Sequence, residues 1–137
     1  MCTAFPYGDS THMHRILFVL PMLLMACGTT SQQTASLAPA AFEARLTEPG
    51  VQLIDVRTPG EYTGGHLAGA INLDQSGGQL ESSVGSLDKS KPVLLYCASG
   101  RRSAAAREYL REQGFNDVVD LQGGISAWAG GGKAVEH

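Results

Sequence analysis

Cys97 closes an apolar run, Pro92-Val93-Leu94-Leu95-Tyr96, and is followed at once by Ala98-Ser99-Gly100-Arg101-Arg102-Ser103. The thiolate is the reactive form of cysteine, and a free thiol with a pKa of about 8.5 is mostly protonated at neutral pH. The residues after Cys97 are of the types that favour the anion. Gly100 lets the backbone turn closely around a sulfur atom. A tight loop running into a helix N-terminus converges amide N–H groups on one point, and Arg101 and Arg102 add positive charge at its rim. Cys97 is therefore the candidate nucleophile, and Ala98, Ser99, Gly100, Arg101, Arg102 and Ser103 are the candidate substrate-binding residues. Ser103 has a plainer reading as the N-cap of the following helix, which outweighs a direct catalytic part. An inert core thiol is the competing reading for a lone cysteine at a strand end; the loop weighs against it.

The elements that must position this loop alternate between strand and helix. A short helix is expected over 41–46, strands over 52–56, 70–73 and 92–96, and a helix over 103–113 with Ala106 and Leu110 on one face and Gly114 as its stop. A strand over 118–121 and a final helical turn over 124–129 complete the rhythm. Short apolar strands separated by helices predict an α/β fold, a parallel sheet covered on both faces. In such sheets ligands sit beyond the carboxyl ends of the strands, which is where Cys97 falls.

Ahead of this domain, Ile16 to Ala26 reads ILFVLPMLLMA, preceded by Arg15 and followed by Cys27 and a polar run. That is the layout of a secretory signal, too short for the roughly 20 apolar residues that span a bilayer and interrupted by Pro21. Leu24-Met25-Ala26-Cys27-Gly28 resembles a bacterial lipobox, which implies cleavage before Cys27 and lipid on its thiol. Gly28, where inner-membrane lipoproteins carry Asp, points to the periplasmic face of the outer membrane. Residues 1–12 make a poor signal start, and Met13 offers a better one. Residues 1–26 are thus read as signal, 27–39 as lipidated cysteine and flexible tether, 40–132 as the domain and 133–137 as a tail.

The whole chain has 137 residues, 43% apolar and 17% charged, which suits one folded domain. A net charge of −3 argues against nucleic acid as a partner. Of the 3 cysteines, Cys2 lies in the part removed and Cys27 would carry lipid, so Cys97 is left with no partner in the chain.

Three blocks resemble the rhodanese family: YCASGRRS at Tyr96–Ser103, IDVRTPGEYTGGHLAGAIN at Ile54–Asn72, and LQGGISAW at Leu121–Trp128. The resemblance implies a small five-stranded parallel sheet with helices on both sides. It also implies sulfur relay: the Cys97 thiolate takes the outer sulfur of a thiosulfate-like donor as a persulfide, and cyanide or a thiol accepts it, with ping-pong kinetics. Within the resemblance, Arg102 aligns with a loop arginine and is the choice for the donor's sulfonate oxygens. Asp55 and Arg57 look like a buried ion pair at a strand end. Glu61 and His66 are read with them as structural support, His66 as a turn brace. No cofactor and no metal is expected, since no cluster has metal-ligand spacing, and a monomer is expected.

Two other functions compete. Phosphatases of this fold need Cys-x5-Arg, whereas here the arginine comes one place early, at Arg102, and the sixth residue is Ser103. A non-catalytic binding or sensing module would usually lack the cysteine.

Overall fold

The structure is a computed structural model that describes residues 36–137. The signal segment, Cys27 and most of the tether lie outside the described residues. Five strands, β1 (Ser36–Leu37), β2 (Gln52–Asp55), β3 (Ile71–Asn72), β4 (Val93–Tyr96) and β5 (Val118–Leu121), form one parallel sheet in the order β1-β5-β4-β2-β3. Between them run α1 (Pro39–Leu46), α2 (Pro59–Thr63), α3 (Gln79–Ser83) with a 3-10 turn over Val84–Ser86, α4 (Arg101–Glu112) and α5 (Gly124–Gly130).

Successive strand residues point to opposite faces, so the sheet divides the core in two. Ile54, Val93, Leu95 and Val118 pack with Leu80 of α3 and Ala106 and Leu110 of α4. Leu53, Leu94, Tyr96, Val119 and Leu121 pack with Phe42 of α1 and Trp128 of α5. Both faces are covered, as the apolar strand runs require.

The expected helix stop is present: Gly114 takes a φ of +93°, and the Phe115 amide bonds the Leu110 carbonyl at 3.1 Å. Four expectations change. Helix α4 begins at Arg101, because Gly100, with φ +99°, turns the chain into it early. Ser103 is therefore not an N-cap but a fully buried residue of the first turn. The strand expected over 70–73 shortens to Ile71–Asn72 at the sheet edge. The tether ends sooner than residue 39, since Ser36 and Leu37 pair with Asp120 and Leu121 as an edge strand.

The C-terminal residues, read as a tail, are docked. His66 and Glu136 exchange backbone hydrogen bonds of 2.8 Å, and the Trp128 indole donates to the Ala134 carbonyl.

Candidate active site

Strand β4 has β2 and β5 as its neighbours, so the loops leaving the carboxyl ends of those three strands meet. The Cys97 loop is the middle one. On its β5 side the close approach depends on glycine: a Cβ on Gly124 would lie 2.4 Å from the Cys97 carbonyl oxygen, and one on Gly100 would lie 3.3 Å from the Gly123 nitrogen. The amides of Ile125 and Ser126 then bond the carbonyls of Cys97 and Ala98 at 2.8 and 3.2 Å. Engaging the loop carbonyls from outside leaves its amides facing inward. Gly123 and Gly124 thus do more than shape a turn.

Cys97 is 1% exposed, and its sulfur receives the Gly100 amide at 3.0 Å. Burial pushes its pKa up. The Ser103 amide and hydroxyl, with the Gly100 and Ser99 amides, outweigh that and hold the thiol below its ordinary value. The Ser103 hydroxyl lies 3.6 Å from the sulfur.

On the β2 side stands Glu61. Thr58 caps α2 reciprocally with Glu61, and Pro59 opens the helix. Glu61 then forks onto Arg102, whose guanidinium donates to its two oxygens at 2.7 and 2.9 Å. The Arg102 bond, opposed by burial and helped by Thr58, lowers the Glu61 pKa to about 2. Arg102, expected to contact the donor's sulfonate oxygens, is thus already paired with Glu61, and its side chain is 29% exposed. Arg101 is the exposed arginine of the loop and has no ion pair among the described residues.

Asp55 and Arg57 form a buried pair at the end of β2. Arg57 donates to both Asp55 oxygens and to the Gly65 carbonyl at 2.7 Å, and lies over the Tyr96 ring. This clamps the chain entering α2 and does not bring Asp55 to the sulfur. His66 stacks on Tyr62 and lies 3.1 Å from the Tyr62 carbonyl, bracing the segment that docks the C-terminus. Beside the loop, a cleft of about 350 Å³ is lined by Arg57, Gly60, Glu61, Ile125, Ser126 and Val135, among others. Among the described residues no group of three or more His, Cys, Asp or Glu could hold a metal ion.

Sequence reasoning missed Asp120. It is 1% exposed in the middle of β5 and bonded to Arg107 of α4 and to Ser36 at 2.7 Å. A lone carboxylate in a strand covered on both faces needs a buried partner, and that was the available signal.

A model of the Rhodanese-like domain matches residues 38–130. The chain is 41% identical over 85 residues to the thiosulfate sulfurtransferase GlpE of Shewanella oneidensis, covering 61% of this chain and 82% of that protein. Among solved structures it is similar to a rhodanese-related protein of Thermoplasma volcanium, with a TM-score of 0.66, 35% identity, and coverage of 74% of this chain and 96% of that one. It is also similar to a protein of unknown function from Rhodopseudomonas palustris described as a possible tyrosine phosphatase, at TM-score 0.62 and 27% identity over 74% of this chain and 83% of that one. By fold, loop and family match, the chain belongs to the rhodanese-like family.

Proposed function

We propose that this protein is a sulfurtransferase that carries sulfane sulfur as a Cys97 persulfide. The observation that carries this reading is the buried Cys97 sulfur, held below its ordinary pKa by hydrogen bonds from its own loop and from Ser103. The Cys97 thiolate attacks the outer sulfur of a thiosulfate-like donor. A new S–S bond forms, the donor's S–S bond breaks, and sulfite leaves with its electron pair. The outer sulfur of the persulfide carries the negative charge, and the loop amides stabilise it as they did the thiolate. Cyanide or a thiol then attacks that outer sulfur and releases the Cys97 thiolate.

Arg101, exposed and without an ion pair among the described residues, meets the donor first. Arg102 contributes by turning part of its fork from Glu61 to a sulfonate oxygen. A phosphatase reading has one similar structure in its favour, but a loop with only four residues between Cys97 and Arg102, and with Arg102 held by Glu61, wraps a phosphate poorly. In the cell, the reading extends to an exported form lipidated at Cys27 and anchored in the bacterial envelope, supported by the Leu24-to-Gly28 sequence. Radiolabelled fatty acid retained on the wild type and lost in Cys27→Ala tests that extension.

Steady-state thiocyanate formation from thiosulfate and cyanide tests the catalytic reading. Parallel double-reciprocal lines are expected, with loss of turnover in Cys97→Ala. Turnover that persists in Cys97→Ala, or phosphate-ester hydrolysis that depends on Cys97 without sulfur transfer, overturns it.

A further inference from the structure

Behind the sulfur lies a second hydrogen-bonded group that the reaction as written does not use. The Ser103 hydroxyl has one proton to give and three acceptors around it: the Gly100 carbonyl at 3.2 Å, Asp120 Oδ2 at 3.5 Å and Cys97 Sγ at 3.6 Å. Arg107 Nη1 and the Ser36 hydroxyl both donate to Asp120 Oδ1, which leaves Oδ2 turned to Ser103. Arg107 also donates to Ser36 at 2.9 Å, so the carboxylate is fixed from α4 and from the edge strand β1 together. Asp120 and Ser103 are both at most 1% exposed.

We propose that Asp120 is a positioning residue for Cys97: its Oδ2 competes with the sulfur for the Ser103 hydroxyl proton and restrains that hydroxyl from the sulfur. The proposal rests on Cys97 being the reacting atom. While Cys97 is a thiol, the Ser103 hydroxyl donates to Asp120 Oδ2 and to the nearer Gly100 carbonyl, away from the sulfur. On ionisation the S–H bond breaks, its proton passes to water and its electron pair stays on sulfur. The hydroxyl then turns to the anion, and Oδ2 gives up its donor while Oδ1 keeps Arg107 and Ser36. The other charged groups around the site are Arg101 and Arg102 of α4, the latter with its partner Glu61 of α2, Glu108 of α4, which also accepts from Arg107, and Asp55 with Arg57 at the end of β2. None of these bonds Ser103.

The consequence is a balance between two half-reactions. A less acidic thiol gives a thiolate that is the stronger nucleophile toward the donor, though less of it is ionised, and a more acidic one leaves faster when sulfur is delivered. Asp120 holds Cys97 toward the first.

The test is the pH dependence of iodoacetamide alkylation at Cys97 in the full chain, read by mass spectrometry of the Cys97 peptide so that Cys2 and Cys27 do not contribute. Asp120→Asn removes the competing carboxylate. Its alkylation midpoint is expected to fall by about half a pH unit, about threefold in thiolate fraction below both midpoints. Ser103→Ala is expected to raise the midpoint, and to remove most of the Asp120→Asn effect when the two are combined. If Asp120→Asn folds poorly, Arg107→Gln/Asp120→Asn removes both charges of the pair, and its midpoint is still expected to fall. A carboxylate with only a structural part would loosen the loop and move the midpoint up. A midpoint unchanged or raised in both Asp120 variants overturns the proposal. Alkylation needs no sulfur donor, so this result stands or falls separately from sulfur transfer.

Discussion

Two arginine–carboxylate pairs flank Cys97, and they differ in what surrounds them. Arg102 and Glu61 meet at the mouth of the site with side chains 29% and 35% exposed, while Arg107 and Asp120 meet behind it at 12% and 2%. Water screens the first pair and gives it little weight in stability. The second has lost most of its water, so removing Arg107 strands the Asp120 carboxylate, whereas Arg107 without Asp120 still holds Glu108 at 2.8 Å. The front pair is placed to negotiate with an incoming anion, and the rear pair to fix the groups behind the sulfur. One architecture explains both. Glu61 follows β2 and the Gly123–Gly124 turn follows β5, the two neighbours of the β4 strand that ends at Cys97.

The largest difference between the pairs is expected in stability. Arg107→Gln should cost about 3 kcal/mol by leaving a buried carboxylate unpaired, measured by urea denaturation. Arg102→Gln should cost less than about 1 kcal/mol. Equal losses would break the comparison.

The order reverses for donor binding. Arg102→Gln leaves Glu61 to face an anionic donor alone, so KM for thiosulfate should rise about tenfold, the worth of one charge-assisted hydrogen bond. An unchanged KM with an unchanged fold would remove Arg102 from the donor site.

A smaller effect in the opposite sense is expected of Glu61→Gln. It frees part of the Arg102 fork and should lower KM for thiosulfate about threefold. The same variant carries a pH signature. Glu61 titrates near 2 in the folded chain against an ordinary 4.5, with the Arg102 hydrogen bond the main cause. A depressed carboxylate stabilises the fold above its unfolded pKa and loses that contribution as pH falls through the folded one. The stability difference between wild type and Glu61→Gln should therefore be constant above about pH 4.5 and shrink toward pH 2. A difference that grows on acidification would contradict the assigned partner.

The front pair shows how much of the site could be read from residue order. Cys97, Gly100 and the arginines stand in one short segment, and their types alone suggest a thiolate cradle. The pairing of Glu61 with Arg102 crosses 41 positions and depends on β2 and β4 being neighbours, which no local pattern states. Helix α2 was missed because its five residues are too few for periodicity, although Thr58-Pro59 with Glu61 is a capping-box signal. Ser103 was misread because a positive φ at Gly100 starts α4 two residues early. The strands over Gln52–Asp55, Val93–Tyr96 and Val118–Leu121 were legible because both faces of the sheet are covered and most of their residues are apolar. The edge strand at Ser36–Leu37 was not, since two residues show no alternation and its anchor, Asp120, lies 84 positions away.

The mass of the intact protein after incubation with thiosulfate, followed by peptide mapping, tests the central claim most directly. One added sulfur on Cys97, removed by cyanide and absent from Cys97→Ala, is the expected result. An unchanged mass at Cys97 under conditions where thiocyanate is being formed would contradict it.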